Sequence, residues 1–163
     1  MATNSAISRL GRIVAVIGLV SMVAACANKP NTTASIGGSA SPGSSQDFVV
    51  NVGDRVFFET DSTELTVVSR TTLDRQAGWL KQYPRYAITI EGHADERGTR
   101  EYNIALGARR AEVVRAYLVS QGIAANRFRT ISYGKERPVA VCNDISCWSQ
   151  NRRAVTVVNT AGS

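Results

Sequence analysis

The chain has 163 residues, enough for one domain with a substantial core. It carries 19 Lys and Arg against 13 Asp and Glu, a formal net charge of +6. His93 is the only histidine, which excludes a zinc site built on paired histidines and leaves any Ser or Cys nucleophile with one possible base.

The first 26 residues stand apart. Arg9 and Arg12 form a basic start, and Ile13 to Ala25 is an apolar run too short for a free-standing membrane span. The run ends in Val23-Ala24-Ala25-Cys26, which resembles a lipobox, the bacterial lipoprotein signal in which the Cys becomes the first mature residue and carries lipid. The alternative is ordinary cleavage near Ala25 with an incidental Cys. Residues 1–25 are therefore read as a signal peptide and Cys26 as the lipidation site. Two or three acyl chains give stable anchoring, since each buried CH₂ contributes about 0.8 kcal/mol. Ala27 is not the Asp that resembles an inner-membrane retention signal, so the outer membrane is the expected destination. Without Arg9 and Arg12 the balance is +4. In an exported protein that mild excess suits a polyanionic envelope polymer, and the address argues against nucleic acid.

Residues 26–46 are rich in Ser, Thr, Ala, Gly, Asn and Pro, with no apolar period. They read as a flexible tether with a root-mean-square reach of about 25 Å. The folded domain is placed at 47–163. Val56-Phe57-Phe58 is predicted as its first strand, and Leu65, Val68, Leu73, Ala77 and Leu80 predict a helix from about Thr63 to Gln82, ended by Pro84. Ala87 to Glu91 is a second strand, with Ile88 and Ile90 on one face. A long helix is predicted from about Thr99 to Ser120, with Tyr102, Ala105, Val113, Ala116 and Tyr117 as its apolar seam and Gly122 as its C-cap glycine. Arg127 to Tyr133 is a third strand, Ser146 to Arg152 a helical turn, and Ala154 to Asn159 the last strand. The order β-α-β-α-β-β describes an α/β (α+β) two-layer sandwich with a mixed sheet.

Cys142 and Cys147 remain as an even pair in an oxidising compartment. Their C-x4-C spacing suits a structural disulfide closing a small loop; two free thiols are the alternative.

The chemistry gathers at Gly92-His93-Ala94-Asp95-Glu96-Arg97-Gly98-Thr99, where a strand hands over to the long helix. On that helix Thr99, Asn103, Leu106 and Arg110 fall at i, i+4, i+7 and i+11, within about 60° of arc. Long helical side chains lean toward the N-terminus, so Arg110 leans toward the loop that holds Asp95. A carboxylate at one end of a groove and a guanidinium at the other suits a zwitterion: Asp95 takes an ammonium and Arg110 forks onto a carboxylate. The bland alternative is a solvated helix face with one ion pair.

These segments, followed by Tyr102-Asn103, Arg109-Arg110-Ala111, Tyr133-Gly134 and Asn151-Arg152-Arg153-Ala154-Val155, resemble the OmpA-like domain family over about Val56 to Val158. The resemblance implies the same β-α-β-α-β-β sandwich and non-covalent binding of peptidoglycan through the meso-diaminopimelate of its stem peptide. It places the acidic binding residue on Asp95 and the basic one on Arg110. It adds Arg97, Thr99, Asn103 and Leu106 as pocket positions, Asp61 as a second acid and Phe58 as wall. Arg152 or Arg153 is implied to neutralise the acids or touch ligand. It further implies partnership with TolB and the Tol system in cell division, and no cofactor or metal. Phe58-Glu59-Thr60-Asp61-Ser62 departs from the family pattern by losing an aromatic and a Lys, and the Cys pair is not a general family feature.

Two other functions compete. His93 with Asp95 and Glu96 could be taken for an acid–base or metal cluster, and a paired-carboxylate hydrolase stays formally open. The bland role for His93 is loop packing. A structural anchor without ligand specificity is the third possibility, and the ordered stripe argues against it. Binding through the clamp predicts that Asp95→Ala and Arg110→Ala each abolish sedimentation with sacculi and leave the fold intact.

Overall fold

The computed structural model describes residues 40–160. The predicted signal peptide, Cys26 and tether positions up to 39 lie outside the described residues.

The folded body is already under way at Gly43, within the stretch read as tether. A helical turn, Ser45–Asp47, runs into a π-helical segment, Phe48–Gly53; together they are α1. Ser44 caps the turn by accepting from Asp47 N–H. Asp47 accepts from Trp79 Nε1 at 2.8 Å and from Gly43 N–H at 2.8 Å. The Gly43 carbonyl accepts from Arg85 and from the Tyr86 hydroxyl at 2.8 Å. Phe48 is fully buried beside Trp79, their ring centroids 4.9 Å apart. A Ser- and Gly-rich stretch has no apolar period, but its backbone and caps can still dock on a structured partner.

β1 (Arg55–Phe57) follows, then α2 (Val67–Gln82). The Thr66 hydroxyl accepts from Ser69 N–H and starts α2 later than Thr63. Leu73, Ala77 and Leu80 are buried as the spacing predicts, whereas Val68 is exposed. β2 (Tyr86–His93) sends Tyr86, Ile88 and Ile90 into the core. α3 (Arg100–Ser120), β3 (Phe128–Gly134), α4 (Ile145–Asn151) and β4 (Arg153–Thr160) complete the chain. The sheet order is β1-β4-β2-β3; β2 and β3 are parallel, and β4 is antiparallel to both β1 and β2. This is the mixed-sheet α/β sandwich expected, with the predicted helical turn at 146–152 present as α4 and with α1 and a 3-10 turn added. Gly122 follows α3 at φ 92°, as a C-cap glycine does.

The predicted seam of α3 holds only in part: Val113 and Tyr117 pack partly buried against the core. Tyr102, Ala105 and Ala116 are exposed, and the buried face is Asn103, Leu106, Gly107, Arg110, Ala111, Val114 and Leu118. The polar stripe is thus part of the inward face. Two glycines set this: a Cβ on Gly92 would lie 1.8 Å from the Gly107 carbonyl oxygen, and one on Gly107 would lie 2.4 Å from Ser132 Oγ. With hydrogens there instead, α3 sits close on β2 and rolls its stripe toward the strand's C-terminal end.

Cys142 and Cys147 form a disulfide, Cα atoms 5.7 Å apart, joining the loop after β3 to the first turns of α4. Asn151, at the end of α4, accepts from Val139 N–H and Ala140 N–H and donates to the Ala140 carbonyl.

Candidate binding pocket

β2 ends at His93, and the turn from Ala94 to Thr99 carries the chain to α3. The Thr99 hydroxyl accepts from Tyr102 N–H, so Thr99 is the N-cap that fixes where the helix begins. The side-chain amide of Asn103 donates to the Arg97 carbonyl at 2.7 Å and holds the turn against the first turn of the helix.

A cavity of about 320 Å³ opens between this turn, α3 and the loop after β1. It is lined by Asp61, Asp95, Arg97, Asn103, Leu106, Arg110 and Arg152, all of them predicted, together with Thr60, Gly98 and Tyr102. Asp95 and Arg110 therefore meet at one cavity. Two predicted residues do not line it: Thr99 serves as cap, and Phe58 is buried with its ring 5.1 Å beneath the Arg110 guanidinium. Of the Arg152-Arg153 pair, Arg152 faces the cavity. Arg153 Nη2 instead donates to the Arg137 carbonyl.

Asp95 is 7% exposed. Its Oδ1 accepts from Arg97 N–H at 3.2 Å and from Arg97 Nε at 3.1 Å. Its Oδ2 accepts from Arg97 Nη2 at 2.7 Å and, at the longer distance of 3.4 Å, from Arg152 Nη1. Burial alone raises the Asp95 carboxyl, but the hydrogen bonds from Arg97, helped by Arg152, outweigh it and hold it below the usual carboxylate range. It is a charged acceptor at neutral pH.

Arg110 is fully buried. Its Nε donates to the Ser62 carbonyl at 2.9 Å, Nη1 to the His93 carbonyl at 2.9 Å and Nη2 to the Glu59 carbonyl at 3.2 Å. A guanidinium has five N–H groups, so one on each terminal nitrogen remains for a ligand. Burial, and secondly the charge of Arg152, lower its pKa to about 10, so it stays protonated at neutral pH. The same bonds make it a strut between β2 and the loop after β1. Arg110→Ala is therefore not expected to leave the fold intact, since one buried and two partly buried carbonyls would lose their donor.

Sequence reasoning missed Tyr102. Its hydroxyl bonds to Asp61 at the mouth of the cavity, where Asp61 itself has φ 54°. Assigning Tyr102 to an apolar seam hid it, although it lies one turn before Leu106 on the same face. His93 is 2% exposed, and its ring packs against Tyr133 with centroids 5.5 Å apart. It offers the pocket only its backbone carbonyl, through Arg110, and takes the packing role.

A mixed four-stranded sheet with helices packed on it is the OmpA-like fold. The OmpA family model matches residues 57–153, and the chain belongs to the OmpA family. It is 68% identical to the peptidoglycan-associated lipoprotein of Rhizobium meliloti (strain 1021), covering 86% of this chain and 84% of that one. It is 62% identical to the protein of the same name from Agrobacterium fabrum (strain C58 / ATCC 33970), covering 97% and 94%. The crystal structure of the peptidoglycan-associated lipoprotein from Burkholderia pseudomallei superposes with a TM-score of 0.67 at 38% identity, covering 71% of this chain and all of that one. With these relatives the chain groups with binding proteins, not enzymes. Among the described residues no helix is long and apolar enough to cross a membrane.

Proposed function

We propose that the chain is an envelope lipoprotein that grips peptidoglycan non-covalently, with the free end of a meso-diaminopimelate residue seated in the pocket. The observation that carries this is the meeting of Asp95 and Arg110 at one cavity. The end of diaminopimelate bears an ammonium and a carboxylate on one carbon. Asp95 Oδ2, whose contact with Arg152 is long, accepts the ammonium. The two remaining N–H groups of Arg110 fork onto the carboxylate. Leu106 packs against the methylene chain, and Arg97 and Arg152 balance the acids.

The relatives' name, peptidoglycan-associated lipoprotein, supports the polymer and the lipid. In this reading residues 1–25 are removed, Cys26 carries the lipid, and the anchor sits in the outer membrane with the domain facing the periplasm. The protein then ties the outer membrane to the wall and works with TolB and the Tol proteins during division.

Isothermal titration with a stem tripeptide ending in meso-diaminopimelate, against one ending in lysine, tests the clamp. A charge-assisted contact contributes about 1.5–3 kcal/mol, so the lysine peptide, which lacks the second carboxylate, should bind at least about tenfold more weakly. Asp95→Asn should lose the diaminopimelate peptide by a similar factor or more while melting as a folded domain. Equal affinity for both peptides, or full binding by Asp95→Asn, overturns the proposal.

A further inference from the structure

Arg97 is the residue that shapes Asp95, and something must shape Arg97. Its side chain is 41% exposed, and a long exposed arginine does not hold one rotamer without support. The support comes from α4. The Trp148 indole lies under the Arg97 guanidinium, 4.3 Å from its carbon to the ring centroid. The indole is itself fixed, because Trp148 Nε1–H donates to Glu96 Oε1 at 2.9 Å. Glu96 and Arg97 are neighbours in the turn, so the indole grips that turn at two adjacent side chains.

α4 has seven residues, too few to be stable alone, and is tied at both ends. Asn151 bonds the loop at its C-terminal end, and Cys147, next to Trp148 in sequence, is joined to Cys142 near its start. The physical chain therefore runs from disulfide to indole to guanidinium to carboxylate.

We propose that Trp148 is a positioning residue for ligand binding in the pocket: held by the Cys142–Cys147 disulfide and by Glu96, it fixes Arg97 so that Asp95 presents Oδ2 to the ligand's ammonium. This rests on the binding function proposed above. Trp148 need not touch the ligand. Its loss frees Arg97 to leave Asp95 or to swing across the cavity mouth, and binding falls in either case. Because the disulfide restrains the same short helix, reducing it weakens binding in the same direction and by less, since Asn151 still holds the other end.

Titration of the diaminopimelate stem tripeptide into the full folded domain tests this with five variants beside Asp95→Asn. Trp148→Ala should weaken binding about tenfold, and Trp148→Phe, which keeps a ring under the guanidinium, should stay within about threefold of the original. Arg97→Ala should weaken binding, and adding Trp148→Ala to it should cost little more, because the tryptophan acts through the arginine. Cys142→Ser/Cys147→Ser should fall between Trp148→Ala and the original protein. As a readout that loss of helix stability would not move, the pH below which peptide binding fails should rise in Trp148→Ala, since Asp95 loses the cation that keeps it ionised. Unchanged binding in Trp148→Ala, or additive losses with Arg97→Ala, overturns the positioning role. If the original protein binds no peptide at all, the pocket assignment fails instead. If only Asp95→Asn loses binding, the pocket assignment stands and the tryptophan role falls.

Discussion

At the Tyr86 end of β2, Arg127 donates to the carbonyls of Tyr86, Leu80 and Tyr83. At the His93 end, roughly 23 Å away along the strand, Arg110 donates to those of His93, Ser62 and Glu59. Both arginines fasten one end of the same strand to backbone from other segments, with the same number of carbonyls. Their surroundings differ. Arg127 feels burial alone, which lowers its pKa. Arg110 feels burial first, then the opposing fields of Arg152, Asp95 and Asp61, and a cavity lies beside it. The Tyr86 end is packed by Phe48, Trp79 and Gly43. A carbonyl-bound arginine is thus a fastening wherever neighbours fill the space around it. It becomes a site where acids and open space meet it.

Substituting the two arginines tests this contrast. Arg110→Ala should cause the largest effect, destabilising the domain by about 3–5 kcal/mol in urea unfolding, since one buried and two partly buried carbonyls lose a charged donor and the core gains a void. Its binding loss is then inseparable from unfolding, which is why Asp95→Asn is the cleaner probe of the pocket. Arg127→Ala should cost less, about 2–3 kcal/mol, because Arg127 is only partly buried and water can reach part of the vacated space. Its affinity for the stem peptide, measured where it is still folded, should stay within about twofold of the original. A binding loss in Arg127→Ala as large as that in Asp95→Asn would mean that the two ends are coupled, and the contrast would fail.

The pocket was largely legible because its parts are local: Asp95 lies in the turn that starts α3, and helical spacing puts Asn103, Leu106 and Arg110 on one face of it. The inward turn of that face was not legible. A pattern of apolar residues pointed to Tyr102 and Ala105, whereas backbone contact between Gly92 and Gly107 decided the roll of the helix. Burying Arg110 and Asn103 is tolerated because both find backbone acceptors, and no periodicity reports such partners. The Gly43–Asp47 docking escaped for a similar reason, since its partners Tyr86 and Trp79 lie far along the chain. Trp148 escaped because only the tertiary placement of α4 brings it to Arg97.

The rings at the two ends of β2 give the smallest and most specific test. The Tyr86 hydroxyl has its partner in the Gly43 carbonyl. Neither ring nitrogen of His93 has a hydrogen-bond partner, though Glu91 Oε2 lies 3.8 Å from Nε2. Burial, followed by the charges of Arg153, Arg137 and Arg55, lowers the His93 pKa from 6.5 to about 4. Below pH 6.5 the unfolded chain takes up a proton that the folded one refuses until about pH 4. Stability should therefore fall as pH drops through that window and level off beneath it as far as this group is concerned. The full shift corresponds to about 3 kcal/mol, and relaxation around the ring brings the expected loss to roughly 2 kcal/mol. His93→Phe keeps the backbone carbonyl that Arg110 uses and removes the titrating ring. Its unfolding free energy at neutral pH should stay within about 1 kcal/mol of the original, and its slope between pH 6.5 and 4 should flatten. A slope unchanged by His93→Phe would assign the acid sensitivity to other groups and return His93 to the status of an inert filler.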